Sequence, residues 1–209
     1  MAEQLMETMV RTALWQQFGA AIDMLENALL ACPAALWRER LWSAPADRPL
    51  PPWFPPEFAE FWYIAYHTLF WFDLYLSGSP EEDFTPPAPF LWTENDPAVS
   101  PERPYTKEEL HAYLVATRQK CHAQLSALTD ERARQTVSYP WTDEQDVSFL
   151  ELLLYNMRHV QEHAAQLSLF LGQHGVPDEE LASVARAKDE AAFSSEHSQQ
   201  ERASSSPDE

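Results

Sequence analysis

Hydrophobic residues recur every three to four positions along four long stretches of the chain, which is the period of an amphipathic α-helix. The first predicted helix covers residues 3–31 and stops before Pro33. Its apolar face consists of Leu14, Phe18, Ala21, Leu25 and Ala28. Gln, Asp and Glu occupy the other side, so one face of this helix should pack on a core.

The second predicted helix is apolar on nearly every side. It covers residues 57–76, with Pro56 at its first position and Gly78 just beyond its end. Proline is favoured at a helix start and glycine just after a helix end. A helix that is hydrophobic all round must be buried, so we expect this one to pack on several neighbours.

Two capping boxes mark the starts of the third and fourth helices. Thr106 with Glu109 begins a helix over 106–128, and Ser148 with Glu151 begins one that reaches Leu171. The inner stripe of the third helix consists of Leu110, Leu114, Thr117, Cys121, Leu125 and Leu128. No strand pattern competes with these four helices.

The connections are rich in proline. Residues 43–56 hold six prolines and residues 79–105 hold seven, so the second connection is either a functional flap or a disordered excursion. The predicted fold is all-α, an up-down four-helix bundle with at least one long crossover. The bundle should occupy 1–176, followed by a short helix over 177–192 and a polar, Ser-rich tail over 193–209 that is expected to be disordered.

Composition and charge exclude several classes of function. The chain has 4 Gly and no phosphate-binding glycine motif, and its net charge of −19 should repel nucleic acids and anionic membranes. It has no run of 18 apolar residues and no basic, apolar leader. Its two cysteines do not suggest a disulfide framework, so a cytoplasmic location is expected.

Candidate chemistry is concentrated in three of the seven histidines. His159 and His163 are one helical turn apart, and their face is apolar at both ends and polar in the middle. His67 lies at mid-depth in the most hydrophobic helix, between Tyr63 and Trp71. The other four, which we expect on wet faces, are His111, His122, His174 and His197.

These histidines allow two interpretations. The H-x3-H spacing can hold a metal ion, but it also occurs in ordinary helices, and a lone buried histidine is more often a hydrogen-bonded core residue. If an ion is present, three imidazoles without a thiolate leave a tetrahedral ion one position short, which favours chemistry over a closed structural site. Imidazole ligands alone do not choose among zinc, nickel, copper and iron.

The segments YHTLFWFDLYLSG (66–78) and RHVQEHAAQL (158–167) resemble the DinB/YfiT family of four-helix bundle proteins over roughly residues 5–172. That family has one histidine early in its second helix and an H-x3-H in its fourth, where Arg-Gly-Gln often follows the last histidine. Gln166 matches, whereas Ala164 and Ala165 stand in place of the Arg and Gly.

The resemblance implies one divalent ion, zinc or nickel, bound by His67, His159 and His163. Some relatives are thiol-dependent transferases, which implies a low-molecular-weight thiol cosubstrate, a small electrophile and a homodimer as partners. Tyr63, Trp71, Tyr155, Asn156 and Gln166 are the candidate pocket or supporting residues, and no catalytic residue is identified. A non-catalytic metal-binding stress protein and a metal-free bundle stay open as alternatives.

Overall fold

The computed structural model describes residues 2–45, 47, 55–91, 101–139 and 146–177, with side chains from residue 9 onward. Within these residues the helices are α1 (Ala2–Ala31), α2 (Phe61–Ser77), α3 (Lys107–Ser126), α4 (Asp130–Arg134) and α5 (Phe149–Gln173). The strands are β1 (Thr136–Val137) and β2 (Val147–Ser148), and short 3-10 helices cover Ala34–Leu36, Pro56–Ala59 and Glu81–Asp83. The four long helices pack around one core, which confirms the all-α bundle.

Helices α1 and α2 each pack mainly on α3 and α5. They therefore lie on opposite sides of the bundle. α2 and α5 are antiparallel. Phe61 at the start of α2 contacts Phe170 near the end of α5, with ring centroids 6.0 Å apart. At the other end of α2, the centroids of Tyr75 and Tyr155 are 5.6 Å apart.

Helices α2 and α3 are parallel although they follow one another in the chain. Trp62 at the start of α2 contacts Tyr105, just before α3, and the Tyr113 hydroxyl donates to Asp73 further along both helices (3.0 Å). The connection between α2 and α3 must therefore return along the whole length of α2. This is the long crossover that the sequence predicts.

The described parts of the 79–105 connection contribute three aromatic side chains to the core. Phe84, Phe90 and Tyr105 are all buried. The Phe90 ring stacks on Tyr113 of α3 with centroids 4.5 Å apart, and Phe84 packs on Phe70 of α2 at 5.5 Å. These aromatic residues fill the groove between α2 and α3, so this part of the connection is ordered and packed on the bundle. A role of the connection as a flap stays a prediction.

The termini of the helices follow the signals in the sequence, with one exception. Both capping boxes form, at Thr106 and at Ser148, and Gly78 ends α2 with φ of 62°. The expected start of α2 at residue 57 is wrong. Pro56 begins a 3-10 turn instead, and Glu60, in an extended conformation bridged to Arg40, is the N-cap of α2.

A polar interface joins α1 to α3. Arg118 forms an ion pair with the buried Asp23 (2.6 Å), and His111 contacts Glu26 (2.8 Å). His122 packs its ring on Trp15 with centroids 4.5 Å apart. The expectation of wet faces for His111 and His122 therefore holds only in part, because both contact α1 while the His111 side chain stays 36% exposed.

Two small features were absent from the sequence prediction. Helix α4 and the antiparallel pair of β1 and β2 lie between α3 and α5. Two-residue strands are too short to show a periodicity. The predicted 177–192 helix, apart from Pro177, and the 193–209 tail with His197 lie outside the described residues, as do 46, 48–54, 92–100 and 140–145.

Gly78→Ala should lower the free energy of unfolding by about 1–3 kcal/mol, because an L-residue is strained at positive φ. An added Cβ would also lie 2.6 Å from Nη2 of Arg132 and 2.8 Å from Cε2 of Phe149. Urea unfolding of the purified variant measures the loss.

Gly172→Ala is the matched control. No atom lies within 4 Å of an added Cβ there, and the residue is inside α5. This variant should be neutral or gain up to about 1 kcal/mol from helix propensity. Equal stability of the two variants would contradict the assigned conformation of Gly78.

Candidate metal centre

The antiparallel packing of α2 on α5 brings His67, His159 and His163 together. One ring nitrogen from each lies within 4.8 Å of the others. The ring centroids are 5.3 Å apart for His67 and His159, 4.9 Å for His67 and His163, and 4.6 Å for His159 and His163. The three side chains are therefore at one level of the bundle, as the sequence predicts.

The cluster lies at the edge of the buried face rather than on a core stripe. The buried stripe of α5 runs through Asn156, Val160 and Ala164, while His159 and His163 lie beside it and are half-buried. This places the cluster in the outer groove between α5 and α2.

His67 occupies a narrow exposed strip on α2. Every residue from Phe61 to Leu76 is buried except His67 and Trp71, which are half-exposed. These two residues are one turn apart and therefore share a face of the helix. The part of α2 that solvent reaches is thus the part next to the histidine cluster.

The spacing of the ring nitrogens fits a metal site. Nε2 of His159 is 3.3 Å from Nε2 of His67. Two ligands of a tetrahedral ion, each at about 2.0–2.1 Å, are separated by about 3.3–3.4 Å. Among the described residues no other His, Cys, Asp or Glu joins this group, so the protein could offer three nitrogen ligands.

A neighbouring amide contacts the second ring nitrogen of one α5 histidine, His163. Nδ1 of His163 lies 3.0 Å from Oε1 of Gln166. Because an amide oxygen only accepts, this contact favours the tautomer that has its proton on Nδ1 and its lone pair on Nε2. Gln166 therefore supports the form of His163 that can bind a metal.

The electrostatics keep His159 neutral. Burial, followed by the nearby His67 and His163, holds the pKa of the His159 imidazole well below its usual value. A metal ligand must be deprotonated, so a histidine that resists protonation is suited to binding a cation.

A scan against family models matches the DinB superfamily over residues 17–167, a range that contains all three histidines. The chain belongs to the DinB superfamily. Neither a curated protein nor a solved structure matches it significantly. None of the DinB chain's described helices combines the length and hydropathy needed to cross a membrane.

Aromatic side chains border the histidines of this DinB protein on one side. The Trp71 ring is 6.4 Å from His67, and the Tyr75 ring is 6.2 Å from His159. Tyr75 also contacts Trp71 at 5.3 Å and Tyr155 at 5.6 Å. Trp71, Tyr75 and Tyr155 thus form an aromatic group beside the cluster.

The sequence-predicted pocket residues do not all lie there. Trp71 and Tyr155 belong to the aromatic group and are half-buried. Tyr63 is 3% exposed and stacks on Phe58 with centroids 4.1 Å apart, so it is a core residue rather than a wall on the open side. Tyr75 was missed, although its position one turn beyond Trp71 on the face of His67 could have identified it.

The metal-free protein should lose stability as the pH falls from about 7 to 5, partly through His159. The unfolded chain protonates this imidazole below about pH 6.5, whereas the native state resists it. The part of the free energy of unfolding that comes from neutral His159 is therefore fully present above about pH 6.5. It decreases as the pH falls toward the lowered native pKa, by at most about 1.4 kcal/mol per pH unit. Urea unfolding of wild type and His159→Gln at each pH measures it.

The comparison isolates His159 from the carboxylates, which titrate in both proteins. The variant should show the shallower dependence on pH over this range. Parallel curves for the two proteins would mean that His159 is protonated equally easily in the native and unfolded states.

Proposed function

We propose that this protein is a metal-dependent enzyme that transfers a low-molecular-weight thiol to a small electrophile. His67, His159 and His163 would bind one divalent ion, zinc or nickel. The observation that carries the proposal is the group of three half-buried histidines, one ring nitrogen of each lying within 4.8 Å of the others, without a fourth protein ligand among the described residues. Three nitrogen ligands leave room for an exogenous ligand.

A bound ion would supply Lewis acidity, which favours the thiolate form of a thiol at the fourth position. In the reaction the thiol loses its proton to solvent, a sulfur–carbon bond forms, and the leaving group departs with its electron pair. Gln166 keeps Nε2 of His163 available throughout, through its contact with Nδ1. The protein's task is thus to hold three imidazoles in an orientation in which one ring nitrogen of each can bind the ion.

The aromatic group supports an apolar electrophile as the second substrate. Trp71 and Tyr155 are half-buried beside the histidines, so each presents ring surface to a ligand in the groove. Apolar walls with a few polar groups are typical of small-molecule sites. The same apolar surface would limit the water near the electrophile. Hydrolysis of the electrophile would then compete less with attack by the thiolate sulfur.

A non-catalytic metal site is the second candidate, and one observation favours it. His67 is on α2, whereas His159 and His163 are on α5. An ion held by all three would join two antiparallel helices, and such a site could serve the bundle without any turnover.

The protein purified without a metal-affinity step should contain about one divalent ion per chain. His159→Ala should lose it, because two imidazoles from separate helices bind far more weakly than three. His174→Ala, which changes a histidine at the end of α5, is the matched control and should keep the ion. Elemental analysis of the three proteins, with circular dichroism to verify folding, gives the answer. A metal-free wild type that also takes up no added zinc would leave only the plain bundle.

The cobalt-substituted protein should develop a sulfur-to-cobalt charge-transfer band when small thiols are added, because the fourth position is expected to accept sulfur. Absorption titration with several thiols, and with the corresponding alcohols as oxygen controls, makes the test. If the cobalt protein binds its ion but shows no charge-transfer band with any thiol, the transferase proposal is rejected in favour of the non-catalytic metal site.

A further inference from the structure

Among the described residues, two buried side-chain polar atoms have no hydrogen-bond partner, and they belong to residues one helical turn apart. They are Oδ1 of Asn156 and Nδ1 of His159. Leaving a buried polar atom unpaired is energetically costly, so such atoms call for an explanation. Residues at i and i+3 are neighbours on a helix surface, with Cβ atoms about 5–6 Å apart.

The chemistry of the two atoms is complementary. Nδ2 of Asn156 donates to the carbonyl oxygen of Phe72 on α2 (3.0 Å). Because a carbonyl can only accept, this bond fixes which end of the amide is nitrogen and leaves Oδ1 as an acceptor. An imidazole nitrogen that meets this acceptor has to carry a proton.

We propose that Asn156 is a positioning residue that accepts a hydrogen bond from Nδ1–H of His159, directly or through one buried water. A neutral imidazole has one N–H, so a proton on Nδ1 leaves the lone pair on Nε2. Nε2 is the nitrogen that lies 3.3 Å from Nε2 of His67, inside the cluster. Asn156 thus selects the tautomer of His159 that offers its lone pair to the site.

The neighbouring ligand shows the same arrangement already formed. Gln166 is three residues after His163, and its Oε1 is 3.0 Å from Nδ1 of that histidine. Both α5 histidines then present Nε2 to the cluster and Nδ1–H to an amide oxygen. Hydrogen bonds of this kind to the second nitrogen fix the ring orientation and raise the basicity of a ligand.

Asn156 also links this orientation to the other helix. It is 0% exposed, and its bond to Phe72 crosses from α5 to α2, the helix that carries His67. The Asn156 side chain would thus position His159 relative to both other histidines of the cluster, His67 and His163. The consequence for metal affinity rests on the proposed function, whereas the tautomer of His159 does not.

The first test is the tautomer of His159 in the metal-free protein, read from long-range ¹H–¹⁵N correlations of its ring. Wild type should show a protonated Nδ1, and Asn156→Leu, which removes the acceptor at similar volume, should shift the population toward Nε2–H. Gln166→Leu is the matched control and should change His163 while His159 keeps its tautomer. An Nε2–H tautomer in wild type overturns the proposal, even if the leucine variant fails to fold.

The second test is zinc affinity by competition with a chromophoric chelator. Asn156→Leu should bind about 10- to 100-fold more weakly than wild type, the usual loss when a supporting hydrogen bond is removed. Asn156→Asp, which keeps an acceptor oxygen but loses the donor to Phe72, should bind more tightly than the leucine variant. A folded leucine variant with wild-type zinc affinity overturns the positioning role. If wild type binds no zinc, the proposed function fails, and the tautomer measurement alone decides on Asn156.

Discussion

The register of α2 against α5 is the constraint on which the rest of the site depends. Phe61 meets Phe170 at one end of the pair, and Phe149 packs against Gly78 at the other. Between them Asn156 bonds to the backbone of Phe72. A slip of one helical turn would move His67 by about 5.4 Å relative to the α5 histidines and separate the ring nitrogens. Packing along the full length of α2 and α5 therefore sets the distance of a few ångströms between the ring nitrogens of His67 and the α5 histidines.

The sequence predicted those parts of this arrangement that depend on local chemistry. The Thr106 and Ser148 capping boxes and the glycine at 78 set three helix termini because each acts within one turn of its own position. The H-x3-H pair, His159 and His163, could be identified for the same reason, because the two residues are one helical turn apart. His67 needed one further step, because only its depth in an all-apolar helix related it to residues about 90 positions away.

Features that depend on how helices are arranged in space were not accessible in this way. Tyr63 and Tyr75 are both one turn from a residue of the site, yet Phe58 covers the first ring while the second contacts His159. His111 and His122 occupy positions with the polarity of a wet face, but each also contacts α1. Periodicity identifies the apolar face of a helix, whereas the neighbours that border that face follow from the packing of the other helices.

Several of the scarce basic residues of this acidic chain connect one helix to another. The chain has 14 Lys and Arg against 33 Asp and Glu. Arg118 pairs with Asp23, and Lys120 pairs with Asp73. Lys107 donates to the backbone carbonyls of Leu30 and Cys32, at the end of α1. A buried pair such as Arg118 with Asp23 adds little net stability, but breaking it is costly, so it disfavours other registers of α1 on α3.

The return path between the parallel helices α2 and α3 limits how this protein can be shortened. A chain leaving α2 must travel about 25 Å back before α3 can begin beside it, so no tight turn can replace the connection. Phe84 and Phe90 also close the groove along that path. Deleting the segment would do more than remove a loop, because it would open the side of the bundle to water. For protein engineering, the connection is therefore better treated as part of the core than as a loop that tolerates insertions.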